Sequence, residues 1–258
     1  KSPSTGTGWC SSVRERDRGQ SELVGFALVF SFIVFTIVLV GAAGFAGLDD
    51  ARDYQRTTNA EQAFLALAEN VDDVTRRGAP SRATEIGLDD ASLSVEETET
   101  ITVTVGAESA ENTTVVETSP IVYDSGSGTK LIYSSGALVR QDGPHSVMFR
   151  QPSFHLTDDL VHLPIVATSS SSDGPVGGTS AVGVETRSRE REVLVARDGT
   201  ANVSVTIEVT SARAESWHRY FETETAADCD PLAGETVTCE IETRRVYLTV
   251  ERVDVRCE

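Results

Sequence analysis

Apolar and polar residues follow three different rhythms along this chain, and each predicts a different element. From Leu23 to Leu48, 26 consecutive residues carry no formal charge. At 1.5 Å per residue such a run forms a helix of about 39 Å, long enough to cross a hydrocarbon core of about 30 Å with tilt. It is also longer than the roughly 7 to 15 apolar residues of a signal-peptide core. No proline occurs from Ser21 to Arg77, and no glycine between Gly47 and Gly78, so one helix over residues 20–78 is expected, ended by Gly78-Ala79-Pro80. Beyond Leu48 the helix turns amphipathic: Leu48, Ala51, Tyr54, Ala60, Phe64, Leu67, Ala68, Val71 and Val74 recur mostly at steps of three and four. That stripe must cover something, either its own head or a neighbouring copy.

After Pro80 the period drops to two. Ile101–Val105, Val203–Val209 and Val246–Val250 alternate and are rich in β-branched residues, as strands are. Shorter candidates are Ser92–Val95, Thr113–Glu117, Ile121–Tyr123, Lys130–Tyr133, Ala137–Gln141, Ser146–Arg150, Leu160–Val166 and Arg191–Val195. Asp124-Ser125-Gly126-Ser127-Gly128, Ser134-Ser135-Gly136 and Asp142-Gly143-Pro144 join them as hairpin turns. Thr168 to Ser180 has no apolar period and reads as a mobile surface loop, whereas Trp217 and Phe221, four apart within Ser211–Thr223, predict a short helix covering a sheet. The expected fold is α+β: a leader (1–19), a long N-terminal helix (20–78) with a transmembrane span (23–48), and an antiparallel β-sandwich-like extracellular head (79–258) with one short helix.

Composition adds constraints. The net charge is −18, and only Lys1 and Lys130 are lysines. A surface so acidic excludes general affinity for nucleic acid, which needs clustered cations. The same bias resembles the proteomes of salt-loving archaea, where dense carboxylates keep proteins hydrated in brine. Cys229 and Cys239 bracket the turn-rich Asp230-Pro231-Leu232-Ala233-Gly234, which suits a disulfide; Cys257 is then either free or paired with Cys10.

Candidate chemistry is sparse. His155 and His162 can meet across a hairpin through Asp158-Asp159, but HExxH and CxxC spacings are missing, so no metal or cofactor is expected. G-x-S-x-G and the phosphate-loop frame are missing too, and no enzyme is predicted. Asn112-Thr113-Thr114 and Asn202-Val203-Ser204 are sequons for N-glycosylation on an exported domain. Gly41, Gly44 and Gly47, each costing about 1 kcal/mol against alanine in a helix, mark a weak point or a close-packing face.

Arg18-Gly19-Gln20-Ser21-Glu22-Leu23-Val24-Gly25 ahead of the apolar run resembles the N-terminus of archaeal type IV pilin-like proteins, haloarchaeal pilins and archaellins among them. The resemblance covers about 30 residues. It implies cleavage between Gly19 and Gln20 by a prepilin peptidase, and a helix that sits in membrane lipid before packing with other pilin-like subunits through the region of Glu22, Gly25, Gly41, Gly44 and Gly47. Glu22 is third after that bond, whereas bacterial pilins carry a glutamate fifth, so its ion pair with a neighbour's terminal amine does not carry over. The head is similar to an uncharacterised group of exported haloarchaeal proteins through Gly136–Arg140, Val161–Pro164 and Ala214–Phe221. The function implied is a minor pilin or pseudopilin type subunit at the cell membrane, single-pass with its C-terminal domain outside and assembled in an extracellular pilus. The alternative is a permanently anchored surface binding protein with no filament role.

Overall fold

The structure, a computed structural model, describes residues 16–95, 98–107, 110–170 and 174–257. Cys10 and most of the leader lie outside the described residues. Two compact units divide at Tyr54/Gln55. The first contains most of helix α1 (Arg16–Arg76), which begins four residues before Gln20 and is unbroken through Gly25, Gly41, Gly44 and Gly47. These glycines are therefore no helix breaks. The last turns of α1 belong to the second unit, so the chain's compact head starts inside the helix and not at residue 79.

The second unit continues with β1 (Ser81–Gly87), β2 (Ser92–Val95), β3 (Glu99–Ala107), β4 (Ala110–Thr118), β5 (Ile121–Asp124), β6 (Thr129–Ser134), β7 (Ala137–Asp142), β8 (His145–Arg150), β9 (His155–Leu156), β10 (Leu160–Ser170), β11 (Val176–Gly177) and β12 (Ala181–Thr210). Helix α2 (Ala214–Glu224), β13 (Asp228–Cys229) and β14 (Thr236–Cys257) complete it. The smaller sheet runs β11-β2-β5-β6-β7-β8, in which β5 to β8 follow one another through the expected hairpin turns. Its β6–β7 turn is Ser135-Gly136 with φ of 46° and 89°, the pair of positive φ values that a two-residue hairpin loop demands.

The larger sheet runs β4-β3-β12-β14-β10-β9, with β1 also on β12 and β13 on β14. Here the structure corrects the sequence reading twice. β10 and β14 pair in parallel, Leu160 to Ser170 against Arg245 to Val255, so the head is not purely antiparallel. Arg191–Val195 and Val203–Val209 are not separate strands but parts of one 30-residue β12, which bends through register shifts at Ser188/Glu190, Val193/Val195 and Asp198/Val203. Parts of the expected Thr168–Ser180 loop are strand: Thr168–Ser170 finish β10, and Val176-Gly177 close onto β2.

Helix α1 ends where the sequence predicts. Gly78 takes φ +75°, the left-handed conformation of a helix C-cap glycine, and the Ala79 N–H donates back to the Asp73 carbonyl at 3.0 Å. In the turns before it, Ala60, Phe64, Leu67, Ala68 and Val71 are buried in a core shared with Leu93, Ile121, Tyr123, Leu131, Tyr133 and Leu138 of the small sheet, and with Ile86, Val166, Val182, Val184, Val253 and Val255 of the large one. Spacings of four, three, one and three keep these positions on one helical face, and the Phe64 ring meets Tyr123 edge-on at 6.3 Å. Of the predicted stripe, Ala51 and Tyr54 are exposed, and burial starts near Thr57. The other face of the large sheet buries Val161, Leu163, Ile165, Val246, Leu248 and Val250 together with Trp217 and Phe221 of α2.

Polar groups tie α1 to the sheets. Arg140 Nη1 donates to Glu61 at 2.8 Å, Arg150 Nη2 to Asp72 at 2.7 Å, and Asn70 Nδ2 to Thr84 Oγ1 at 2.9 Å. Arg82 pairs with Asp73 at 3.2 Å. The Arg77 and Arg82 guanidiniums hold the Asp73 carboxyl below the usual range. Elsewhere, Glu99 is buried against Arg213, 3.8 Å away, and accepts hydrogen bonds from Ser134 and Ser211, so a carboxylate that cannot reach water is saturated by protein donors.

Candidate functional site: an apolar helix stretch and a cleft on the large sheet

In the first unit, the 20 residues Leu23–Ala42 have a mean hydropathy of 2.9, and none of them is buried. Phe26, Phe32, Ile33, Phe35, Val38 and Val40 are all among the exposed apolar side chains. By length and composition this stretch can cross a membrane; a signal sequence near a chain's start passes the same test. A Cβ placed on Gly25 or Gly41 would meet nothing within 4 Å, so both present bare backbone on the helix surface. The side-chain surroundings of Glu22, Gly44 and Gly47, and of the Gly19/Gln20 bond, lie outside the described residues, although their backbone is helical.

In the second unit, the large sheet carries a cleft of about 430 Å³ lined by Thr75 and Arg76 of α1, Ser153, His162, Pro164 and Val166 on or before β10, Arg191 of β12, and Thr249 and Glu251 of β14. Strand alternation explains the set. His162, Pro164 and Val166 are on one face of β10; Tyr247, Thr249 and Glu251 stand beside them in register on β14. On β12, Ala196, Val193 and Arg191 pair with Tyr247, Thr249 and Glu251 in turn. Three cross-strand rows result: His162–Tyr247–Ala196, Pro164–Thr249–Val193 and Val166–Glu251–Arg191. This is the same sheet face that α1 covers with Val166, Val253 and Val255, and it opens where the helix stops.

Charges in the cleft come in pairs. Arg191 donates to Glu251 and to the Thr75 carbonyl, and Arg76 lies 3.6 Å from Asp72. Burial pushes the Glu251 carboxyl up, with Arg191 pulling the other way. Burial, with His155 and Arg76 nearby, pushes His162 down, which favours neutral imidazole.

His155 and His162 do face each other in the β9–β10 hairpin, as the spacing suggested. Asp159 instead pairs with Arg244, and among the described residues no group of three potential metal ligands occurs. Cys229 and Cys239 form a disulfide, S–S 2.05 Å, across a directly opposed pair of β13 and β14. Cys257 is a partly buried thiol whose pKa burial raises. Asn112 and Asn202 are both exposed, on β4 and β12. The cleft escaped the sequence reading; its one legible signal was the in-phase alternation of polar residues in Leu160–Val166 and Val246–Val250.

A family described as "Family of unknown function (DUF7289)" has a model that matches residues 18–256. No curated protein and no solved structure matches the chain.

Proposed function

The chain belongs to the DUF7289 family, and from that premise we propose that it is a type IV pilin-like cell-surface subunit of the minor pilin or pseudopilin kind. Its α1 is released from a leader at Gly19/Gln20, rests in the cell membrane, and then packs with other pilin-like subunits, while the β-rich head outside makes surface contacts. The observation that carries this reading is Leu23–Ala42: 20 residues of high hydropathy with no side chain buried, directly behind Arg18-Gly19-Gln20. Such a surface is stable only against lipid or against other apolar helices, since each Å² left in water costs about 25 cal/mol. Arg14, Arg16 and Arg18 before the span and Asp49 and Asp50 after it orient it with the head outside. Gly25 and Gly41, bare on the helix surface, suit close approach of a second helix.

A permanently anchored surface protein is the second reading, favoured by one observation: α1 starts at Arg16 and runs through the Gly19/Gln20 bond without a break. Intact mass of the protein isolated from its own membranes separates the two. A chain beginning at Gln20 is expected; a chain that retains Arg14 to Gly19 contradicts processing and leaves the anchored reading.

A further inference from the structure

We infer that the cleft at the end of α1 is a saccharide-binding site, taking an uncharged sugar of two or three rings. This deepens the reading of the head as a contact-making module and is independent of what the helix does.

The argument starts from how the cleft is made. Face by face, the large sheet is covered by α2 on one side and by α1 on the other, and α1 stops at Arg76. Past that point the same face continues over β10, β14 and β12, where Tyr247 and Val193 are exposed. The resulting volume of about 430 Å³ falls within the roughly 300–1,000 Å³ of small-molecule sites. Its walls are hydrogen-bonded strands and the end of a helix, including the irregular part of β12.

The chemistry of the wall selects the ligand class. Its floor is partly apolar, Pro164 and Val166, with the Tyr247 ring in the adjoining row on the same face. Sugar rings offer C–H faces to such surfaces and hydroxyls at their rims. The polar groups alternate donors and acceptors: Arg76 and Arg191 N–H groups, the Glu251 carboxyl, the His162 imidazole and the hydroxyls of Thr75, Ser153 and Thr249. A polyol satisfies both kinds at once. An uncharged ligand fits without disturbing the pairs Arg191–Glu251 and Arg76–Asp72, the second of which shares its carboxylate with Arg150. Nucleotides and organic acids are thereby disfavoured, and the shifted-down imidazole of His162 is a neutral hydrogen-bonding partner.

The test uses the full chain in a detergent without a sugar headgroup. Maltotriose, cellotriose, mannotriose and tri-N-acetylchitotriose are titrated by calorimetry, with glucuronate as the charged control. At least one trisaccharide is expected to bind saturably in the millimolar range or tighter, with Tyr247→Ala and Arg76→Gln each weakening it by about tenfold. Both positions are solvent-accessible, so the variants keep the fold, and an unchanged far-UV spectrum checks this. His218→Ala, on α2 outside the cleft, is expected to bind as the parent does. Failure of all four trisaccharides, binding of glucuronate alone, or affinities untouched by both Arg76→Gln in the cleft and Tyr247→Ala beside it would overturn the proposal. None of these outcomes bears on the Gly19/Gln20 bond, so the failure of this inference and of the pilin-like reading are distinguishable.

Discussion

Two stretches of the same helix solve the same problem in opposite ways. Leu23–Ala42 carries apolar side chains on every face and buries none of them, whereas residues 60–74 carry apolar side chains on one face and bury all of that face in the head. Helix propensity does not separate them. The distribution of charge does: the second stretch places Glu61, Glu69, Asp72 and Asp73 between its apolar positions, and three of these four grip arginines of the head. An all-round apolar helix asks for an apolar environment that its own chain does not supply; a striped one finds its partner internally.

This contrast yields substitutions that strike one stretch and spare the other. The largest effect expected is from Phe64→Ala, a truncation of a wholly buried ring, which should destabilise the head by about 3–5 kcal/mol in denaturant titration while leaving membrane association unchanged. Ile33→Arg is the mirror experiment: about 3 kcal/mol against insertion at the centre of the span, seen as loss of the chain from the membrane fraction, with head stability unaltered. Replacing both Cys229 and Cys239 by serine opens a short loop and is expected to cost about 3 kcal/mol of head stability or slightly less, again without effect on the span. Arg140→Ala removes a half-exposed pair with Glu61 and should cost about 1 kcal/mol or less, which tests how little the ionic contacts add beside the apolar stripe.

A pH series gives the smallest shift. Because His162 has its pKa lowered in the folded state, the unfolded chain takes up its proton first. The stabilisation from a neutral His162 is therefore present above the ordinary value of 6.5 and declines as pH falls through the lower folded value. His162→Gln should flatten that part of the thermal melting profile; an identical acid limb in parent and variant would contradict it.

Much of this architecture was legible in the chain. The proline-free, mostly charge-striped run to Arg77 announced α1 and Gly78-Ala79-Pro80 its cap, because capping needs only local chemistry. Ser135-Gly136 announced a hairpin for the same reason, as did Trp217 and Phe221 a helix with one buried face. What was missed is non-local. Ahead of the expected strand Arg191–Val195, Thr186-Arg187-Ser188-Arg189-Glu190 drew no strand assignment, yet Arg189 pairs across the ladder with Asp254 of β14 as Arg191 does with Glu251, so ion pairs take the place of apolar alternation. The parallel β10–β14 pairing is likewise invisible, since strand alternation is the same whichever way a neighbour runs. The cleft depends on both misses. Its walls come from four elements whose proximity no single stretch of sequence records, and only the register of Val166, Glu251 and Arg191 brings them into one row.

The account rests on the apolar stretch of α1 having its partner outside its own chain. The most direct measurement is alkaline carbonate extraction of membranes carrying the full chain. The account predicts that the protein stays in the membrane pellet through the wash and is released by detergent; recovery of the chain in the carbonate supernatant would contradict it.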